Sequence, residues 1–316
     1  MKQLIDKIYQ QAKSSTRKII LVEPEDNRII EACKIATKEK IADITLLDIT
    51  PKKHQLFDQF VNQFYEFRKN KGVSLDQAKE IISNPLYFGT MMVKNQIVDG
   101  MVAGANNTSL ETFRPALQII KTKPGESIAS SFFIIQVPDN NFGYQGTFIF
   151  SDCGLNINPT AEELSQIAYQ SAHSFQQLVG GVPKIAMLSY STNNSGTGES
   201  VDKVIKATKI FKQNYPEFII EGEIQSDAAI IPSIAQKKNP KSQLQGLANI
   251  LIFPNLDAGN IAYKLVERLG KAQAFGPLLQ GINQPINDLS RGCSINDIVT
   301  TIAITSVQAT SNLLSK

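Results

Sequence analysis

The sequence predicts an α/β protein whose sheets are covered by helices on both faces. Short apolar runs rich in β-branched residues alternate along the chain with longer stretches of helical period. Apolar residues make up 42% of the chain and charged residues 19%, a balance typical of a globular protein. The length of 316 residues suits two domains, or one large one, at roughly 100–200 residues per domain.

The N-terminal part of the chain alternates predicted strands and helices. Two β-branched runs bounded by polar residues predict strands, and a run of helical period lies between them. A Phe-rich stretch with three- and four-residue spacing predicts an amphipathic helix, and Pro85 suits the first turn of another. A further strand runs into a polar turn. The predicted strands are 18–24, 43–48 and 98–105, and the helices are 27–41, 57–69 and one that begins near 85.

The pattern changes from about residue 126. Two β-rich runs, 130–138 and 144–152, are separated by only five residues, which predicts a hairpin. Alternation of strands and helices then resumes as far as a helix near 258–269. We expect one domain over 1–125 together with 285–316 and a second over 126–284, with the reacting groups in a cleft between them.

Composition excludes several classes of protein. The net charge is 32 − 29 = +3, too small for a strongly electrostatic nucleic-acid binder. There is no run of 18 apolar residues, and the first residues lack the apolar core of a signal peptide, so we expect a soluble cytoplasmic protein with no membrane contact. The isolated Cys33, Cys153 and Cys293 predict neither a disulfide framework nor a metal site.

The most informative segment is 280–297, QGINQPINDLSRGCSIND, which leads into a C-terminal helix. Ser294 suits the N-cap and Asp297 lies three residues on, close to a capping box. A helix N-terminus favours an anion. Ser290 and Arg291 come just before it and add a hydroxyl and a planar cation, which suits a phosphate or a developing oxyanion.

Other interpretations of these residues remain open. Asp297 can be only a capping residue, and Ser290-Arg291 only a surface turn. Cys293 can be a nucleophile, although no partner histidine is evident in the sequence. Three further arginines, taken singly, suit either a solvated side chain or an anion ligand: Arg68, Arg114 and Arg268.

The chain resembles the phosphate acetyltransferases (phosphotransacetylases) of the phosphate acetyl/butyryl transferase family. The resemblance covers nearly the whole chain, and its segments are NPLYFGTMMVK (84–94), DGMVAGANNTS (99–109), TFRPALQIIKT (112–122), FPNLDAGNIAYKLVERL (253–269) and GPLLQGINQPINDLSRGCSINDIV (276–299). It implies the reaction acetyl-CoA + phosphate ⇌ acetyl phosphate + CoA. It also implies two α/β domains of isocitrate/isopropylmalate dehydrogenase-like architecture with an interdomain cleft, and a homodimer. Its partners are then coenzyme A, acetyl phosphate and inorganic phosphate, with no metal and no tightly bound cofactor.

The resemblance also implies roles for individual residues. Asp297 matches the base that takes the proton from the CoA thiol, and Ser290 and Arg291 match the groups that hold the acyl phosphate and its oxyanion. Two further anion-binding arginines match Arg68 and Arg114, and Arg268 matches the ligand of the CoA 3′-phosphate end. One departure is the loop 191–195, Ser-Thr-Asn-Asn-Ser, where relatives commonly have Ser-Thr-Lys-Gly-Ser.

Two other functions compete with acetyl transfer. A butyryl or propionyl transferase would differ only in pocket volume, and one methylene is worth only about 1–3 kcal/mol. A non-catalytic protein that binds CoA or phosphate could use the same scaffold, although the intact Ser290, Arg291 and Asp297 argue against it. A nicotinamide-dependent dehydrogenase would need a cluster of carboxylate metal ligands that the sequence does not suggest.

Overall fold

The computed structural model describes residues 2–314, with side chains from 4 to 310. The chain folds as two compact α/β units. The first unit combines residues 5–124 with 282–314, and the second is built mainly from Gly125–Gly281. Both units contain a sheet with parallel strands and helices packed against it, so the predicted α/β class is confirmed.

The first unit has a four-stranded sheet in the order β10-β3-β1-β2, and all three strand pairs are parallel. Each strand is short, and Ile19, Ile20 and Leu21 of β1 are fully buried. Its elements are α1 (Lys2–Ser14), β1 (Lys18–Leu21), α2 (Asn27–Lys38), β2 (Asp43–Leu46), α3 (Phe57–Arg68), α4 (Leu75–Ile82), α5 (Pro85–Lys94), β3 (Gly100–Ala103) and α6 (Ser109–Pro115), followed after the second unit by β10 (Ile286–Asp288) and α12 (Ile295–Leu314).

Polar caps fix where these helices begin. Asp26 caps α2 and Asn84 caps α5, each accepting a hydrogen bond from a backbone N–H of the first turn. Pro85 is the first residue of α5, as the sequence predicts. The same helix can approach β1 and β3 closely because Gly89 has no side chain. A Cβ there would lie 2.6 Å from Val22 and 2.8 Å from Met101.

The second unit has a six-stranded mixed sheet in the order β7-β6-β8-β5-β4-β9. The predicted hairpin is confirmed, since β4 and β5 pair antiparallel from Phe132–Ser151 to Gln136–Thr147. β9 pairs antiparallel on the other side of β4, and the remaining pairs are parallel. Its elements are β4 (Ser130–Gln136), β5 (Thr147–Ser151), α7 (Ala161–Leu178), β6 (Lys184–Leu188), α8 (Glu199–Asn214), β7 (Ile219–Ile224), α9 (Ser226–Ile230), α10 (Pro232–Lys238), β8 (Ile250–Ile252), α11 (Leu256–Leu269) and β9 (Gln273–Gln280).

Arg114 lies elsewhere than the rule for residues before proline suggests. That rule places Arg114 at a helix break or start, but the residue is helical and lies in the last turn of α6, with Pro115 as the final residue of that helix. The helix then widens into a π-helical turn over Ala116–Ile120. Longer-range hydrogen bonding after Pro115 accommodates its missing N–H and lets the chain continue.

No helix in the described part of the chain is both long and apolar enough to span a bilayer. Nor do the described side chains include a group of three or more His, Cys, Asp or Glu residues placed to hold a metal ion.

Candidate active site

Ser290 and Arg291 lie in a segment that follows the carboxyl end of a parallel strand of the first unit. β1 is flanked by β3 on one side and by β2 on the other, so the strand order reverses at β1. Ligands of open α/β sheets bind outside the carboxyl ends of strands at such a reversal. The segments that follow β1, β3 and β10 here are residues 22–26, 104–108 and 289–294.

Glu23 holds the segment after β3 in place. Its side chain is buried, and its carboxylate accepts hydrogen bonds from the backbone N–H groups of Gly104 (2.9 Å), Ala105 (3.0 Å) and Asn106 (2.8 Å). The side-chain amide of Asn107 donates a fourth bond at 2.7 Å. These donors satisfy a buried charge, as burial of an ionised carboxylate requires.

Asp288, the last residue of β10, is a second buried carboxyl group at the same edge. Its Oδ2 accepts a hydrogen bond from the Ser109 hydroxyl at 2.5 Å, whereas Oδ1 has no partner among the described residues. Burial, with a smaller contribution from the nearby Glu23 charge, raises the pKa of Asp288 to about 7, although hydrogen bonding by Ser109 and Thr112 acts in the opposite direction. Asp288 therefore carries a proton up to about neutral pH.

The segment after β10 forms the predicted capping box. Asp297 accepts hydrogen bonds at Oδ2 from the Ser294 backbone N–H (2.8 Å) and hydroxyl (2.9 Å), and its own N–H donates to Ser294 Oγ at 3.2 Å. No described group donates a hydrogen bond to Asp297 Oδ1. Ser290 and Arg291 are exposed in the loop directly before this helix. One carboxylate can thus both cap α12 and offer a second oxygen as a proton acceptor.

Cys293 is unsuited to be a nucleophile. The thiol is buried, and burial raises the pKa of Cys293 to about 11, an effect that the Arg28 charge only partly offsets. Thiolate is the reactive form, and very little of it forms at neutral pH with such a pKa.

Arg68 and Arg114 line one cavity of about 600 Å³ in the first unit, together with Phe64, Tyr87 and Gln118. The Tyr87 hydroxyl donates to the Gln118 side chain at 3.1 Å. Burial raises the pKa of Tyr87, and the charges of Arg114 and Arg68 act against that increase, so both guanidinium groups lie near the phenol. The cavity therefore combines two cations with an aromatic wall.

Glu111 connects this cavity with the loop after β10. Hydrogen bonds from Thr108 hold the pKa of Glu111 below its usual range, and the nearby charges of Arg291 and Arg114 lower it further. Arg291 and Arg114 thus both lie near Glu111, and Arg114 and Arg68 both lie near Tyr87. Within residues 4–310, none of these three guanidinium groups makes a hydrogen bond or ion pair with another side chain or backbone group.

Arg268, unlike the other candidate residues, belongs to the second unit. It lies in the last turn of α11 with 80% of its side chain exposed, and its Nε lies 3.6 Å from the adjacent Glu267 carboxylate. An exposed pair of this kind contributes little stability, so Arg268 can exchange it for a ligand.

The loop 191–195, Ser-Thr-Asn-Asn-Ser, forms several hydrogen bonds within the second unit. The buried Glu223 accepts hydrogen bonds from the Ser191 hydroxyl (2.9 Å) and the Asn194 N–H (2.7 Å). Asn193 and Asn194 have φ values of 50° and 61°, a left-handed conformation that asparagine tolerates better than most residues. The substitution of Lys-Gly by Asn-Asn is therefore compatible with a tight turn.

Sequence reasoning missed three charged residues at the carboxyl edge of the first sheet: Glu23, Arg28 and Asp288. Glu23 carried a signal, since it is a charged residue near the end of the predicted strand 18–24, whereas Asp288 lies in a polar segment. No local pattern marks Arg28, because the backbone carbonyls that it binds lie 77 to 265 residues away in sequence.

Comparisons with known proteins give a consistent result. A family model described as phosphate acetyl/butaryl transferase matches residues 3–306. A protein of Thermoanaerobacterium thermosaccharolyticum named phosphate acetyltransferase is 49% identical, over 97% of this chain and 99% of its own length. A crystal structure of a phosphotransacetylase from Streptococcus pyogenes superposes with a TM-score of 0.92 at 38% identity, covering 98% of this chain and 99% of that one. A putative 4-hydroxythreonine-4-phosphate dehydrogenase from Salmonella typhimurium shares the fold, with a TM-score of 0.52 at 8% identity over 93% of this chain and 99% of that one.

Proposed function

Because the chain belongs to the phosphate acetyl/butaryl transferase family, we propose that it catalyses acetyl-CoA + phosphate ⇌ acetyl phosphate + CoA. The observation that carries the proposal is a set of three arginines, Arg291, Arg114 and Arg68, whose guanidinium groups make no hydrogen bond or ion pair within the described residues. Arg291 belongs to a loop that also carries an exposed serine. Both substrates of the reaction carry phosphate groups, and arginine forks bind such groups bidentately.

In the direction that forms acetyl-CoA, the sulfur of CoA attacks the carbonyl carbon of acetyl phosphate. A bond forms between the CoA sulfur and the carbonyl carbon. The bond between that carbon and the bridging oxygen of the phosphate breaks, and phosphate leaves with the electron pair. A free thiol with a pKa of about 8.5 is only a few per cent ionised at neutral pH, so attack needs a base. We assign this role to the Oδ1 atom of Asp297, because Oδ2 already holds the helix cap.

Ser290 and Arg291 suit the acyl phosphate itself. Their side chains are exposed directly before the N-terminus of α12, where the partial positive charge of the helix favours an anion. A serine hydroxyl aimed at the carbonyl oxygen and a guanidinium on the phosphate would stabilise the charge that develops on both. Loss of one such donor typically costs about 10²- to 10³-fold in rate.

We assign Arg68 and Arg114 to phosphate groups of CoA, and Arg268 to its 3′-phosphate end. The cavity of about 600 Å³ that contains the first two is comparable with pockets that hold small ligands. Its aromatic and amide side chains, Tyr87 and Gln118, provide hydrogen-bonding groups beside the charges.

The direct test is release of free thiol from acetyl-CoA by the purified protein. Release that depends on added phosphate supports the proposal, and its absence with correctly folded protein contradicts it. The same assay with butyryl-CoA and propionyl-CoA separates acetyl transfer from transfer of longer acyl groups.

Asp297→Asn tests the base. Asparagine keeps the size and the capping oxygen but cannot take the thiol proton, so kcat should fall by about 10²- to 10⁴-fold while the Tm stays close to that of the wild type. Ser294→Ala is the matched control. It removes the cap hydroxyl and should cost about 0.5–2 kcal/mol of stability while most turnover remains. Retained turnover in Asp297→Asn would leave Asp297 with the capping role alone.

We also propose that the protein is a cytoplasmic homodimer. Light scattering of the purified protein tests this proposal, and a mass that corresponds to one chain would contradict it.

A further inference from the structure

Arg28 makes an unusual number of contacts for a residue in the first turn of a helix. Its Nε and Nη2 donate to the two carboxylate oxygens of Asp26, at 3.1 and 2.6 Å. Nη2 also donates to the Ala105 carbonyl at 3.1 Å. Nη1 donates to the carbonyls of Arg291 (2.9 Å) and Cys293 (3.0 Å).

These contacts use every donor that the side chain has. A guanidinium group carries five N–H donors in one plane, and Arg28 makes five hydrogen bonds to oxygen. The hydrogen bond from Arg28 also holds the pKa of Asp26 below its usual range, so Asp26 balances the positive charge. Arg28 is therefore not free to bind a phosphate group, in contrast with Arg68, Arg114 and Arg291.

The five bonds join three segments of the first unit that are distant in sequence. Asp26 begins α2 after β1, Ala105 follows β3, and Arg291 and Cys293 belong to the loop after β10. That loop has few bonds of its own. Within it, the Cys293 N–H donates to the Ser290 carbonyl at 2.9 Å and the Gly292 N–H donates to Ser290 Oγ at 3.3 Å.

We propose that Arg28 is a positioning residue for acyl transfer. By holding the carbonyls of Arg291 and Cys293, it fixes the loop that carries Ser290 and Arg291 and the start of the helix that carries Asp297. This inference rests on the proposed function. A displacement of about 1 Å in catalytic groups can lower the rate by about 10²-fold, so loss of the Arg28 guanidinium group should lower kcat.

Arg28→Lys tests the proposal, because lysine keeps the charge but cannot reach Asp26, Ala105 and the loop at once. We expect kcat to fall by at least tenfold and by about 10²-fold if the loop shifts by about 1 Å, with the KM for CoA within threefold of wild type. The Tm and circular dichroism establish that the variant is folded. Arg17→Lys is the matched control. Arg17 also makes side-chain hydrogen bonds in the first unit, to Ser15 and Thr310, and its substitution should leave kcat unchanged.

A second variant covers the case in which Arg28→Lys does not fold. Asp26→Asn keeps an effective N-cap for α2 but removes the charge that orients Arg28, so kcat should fall by a smaller factor at unchanged KM. Wild-type kcat in Asp26→Asn, or in a folded Arg28→Lys, would overturn the inference. So would a raised KM at unchanged kcat, which would make Arg28 a substrate ligand. Wild-type protein without phosphate-dependent thiol release would instead refute the proposed function itself.

Discussion

Asp288→Asn should change how the stability of the protein depends on pH. The Asp288 carboxyl is fully buried, and burial raises its pKa from 3.8 to about 7. Between those values the folded protein holds a proton that the unfolded chain has released. The free energy of unfolding therefore falls as pH rises through this window, by about 1.4 kcal/mol per pH unit and by about 4 kcal/mol in all. Asparagine does not titrate and removes this contribution.

The substitution also has a cost that does not depend on pH. One side-chain atom of Asp288 accepts from Ser109 and the other has no partner, so the asparagine amide would occupy an unpaired position. An unsatisfied buried group costs about 1–3 kcal/mol. The variant should therefore be less stable than wild type at pH 5 and should approach or exceed it at pH 7.5. The difference between the two pH profiles, rather than either value alone, measures the titration.

Urea unfolding at pH 5, 6, 7 and 8, followed by circular dichroism, gives these profiles. From pH 5 to 7 the wild type should lose about 2–3 kcal/mol more than the variant. Ser109→Ala is a control of opposite sign. It removes the hydrogen bond that lowers the pKa of Asp288, so its pH-dependent loss should extend to higher pH. Parallel profiles for wild type and Asp288→Asn would show that Asp288 is ionised when folded and would refute the reasoning.

Three further outcomes follow from individual residues. Gly104→Ala should lower the free energy of unfolding by more than about 3 kcal/mol, because the φ of Gly104 is 105° and a Cβ would lie 2.0 Å from Asp288 Oδ1. Gly72 also has a positive φ but open space around it, so Gly72→Ala should lower the free energy of unfolding by only about 1–2 kcal/mol in the same denaturation assay. Arg114→Gln should raise the KM for CoA by about 10- to 100-fold in steady-state kinetics, since charge-assisted hydrogen bonds contribute about 1.5–3 kcal/mol. Arg268→Ala should weaken binding of CoA more than that of acetyl phosphate in calorimetric titrations, and a selective loss of acetyl phosphate affinity would contradict its assignment.

Much of the fold could be predicted because its signals are local. The hairpin of β4 and β5 follows from two β-rich runs and a short polar turn, and the start of α5 follows from Asn84-Pro85. Helix ends were harder to place. The helix predicted over 27–41 ends at Lys38, because Lys40 adopts a left-handed φ of 56° that the sequence does not indicate. The continuation past Pro115 depends on a π-helical turn that no propensity rule predicts.

The candidate site likewise has features that could be predicted from the sequence and features that could not. The capping box of Ser294 and Asp297 depends on residues three apart and could be predicted from spacing. Which arginines are available to bind a ligand could not be predicted, because this depends on which of their N–H donors already bond to residues that are distant in sequence. All five N–H donors of the Arg28 side chain form hydrogen bonds to Asp26 or to backbone carbonyls, whereas the guanidinium groups of Arg114 and Arg291 form none within the described residues. The sequence itself does not show which of its six arginines have partners that are distant in the chain.

The two buried carboxyl groups near Gly104 differ in the number of hydrogen bonds that they accept. Glu23 accepts three backbone N–H bonds and one amide bond, which replace the water that a carboxylate loses on burial. Asp288 accepts fewer hydrogen bonds, and its Oδ1 has no partner at hydrogen-bond geometry within the described residues, so a proton takes the place of the missing donors. A second negative charge two residues before Ser290 would oppose a phosphate dianion bound there. Protonated Asp288 is thus compatible with anion binding at the loop.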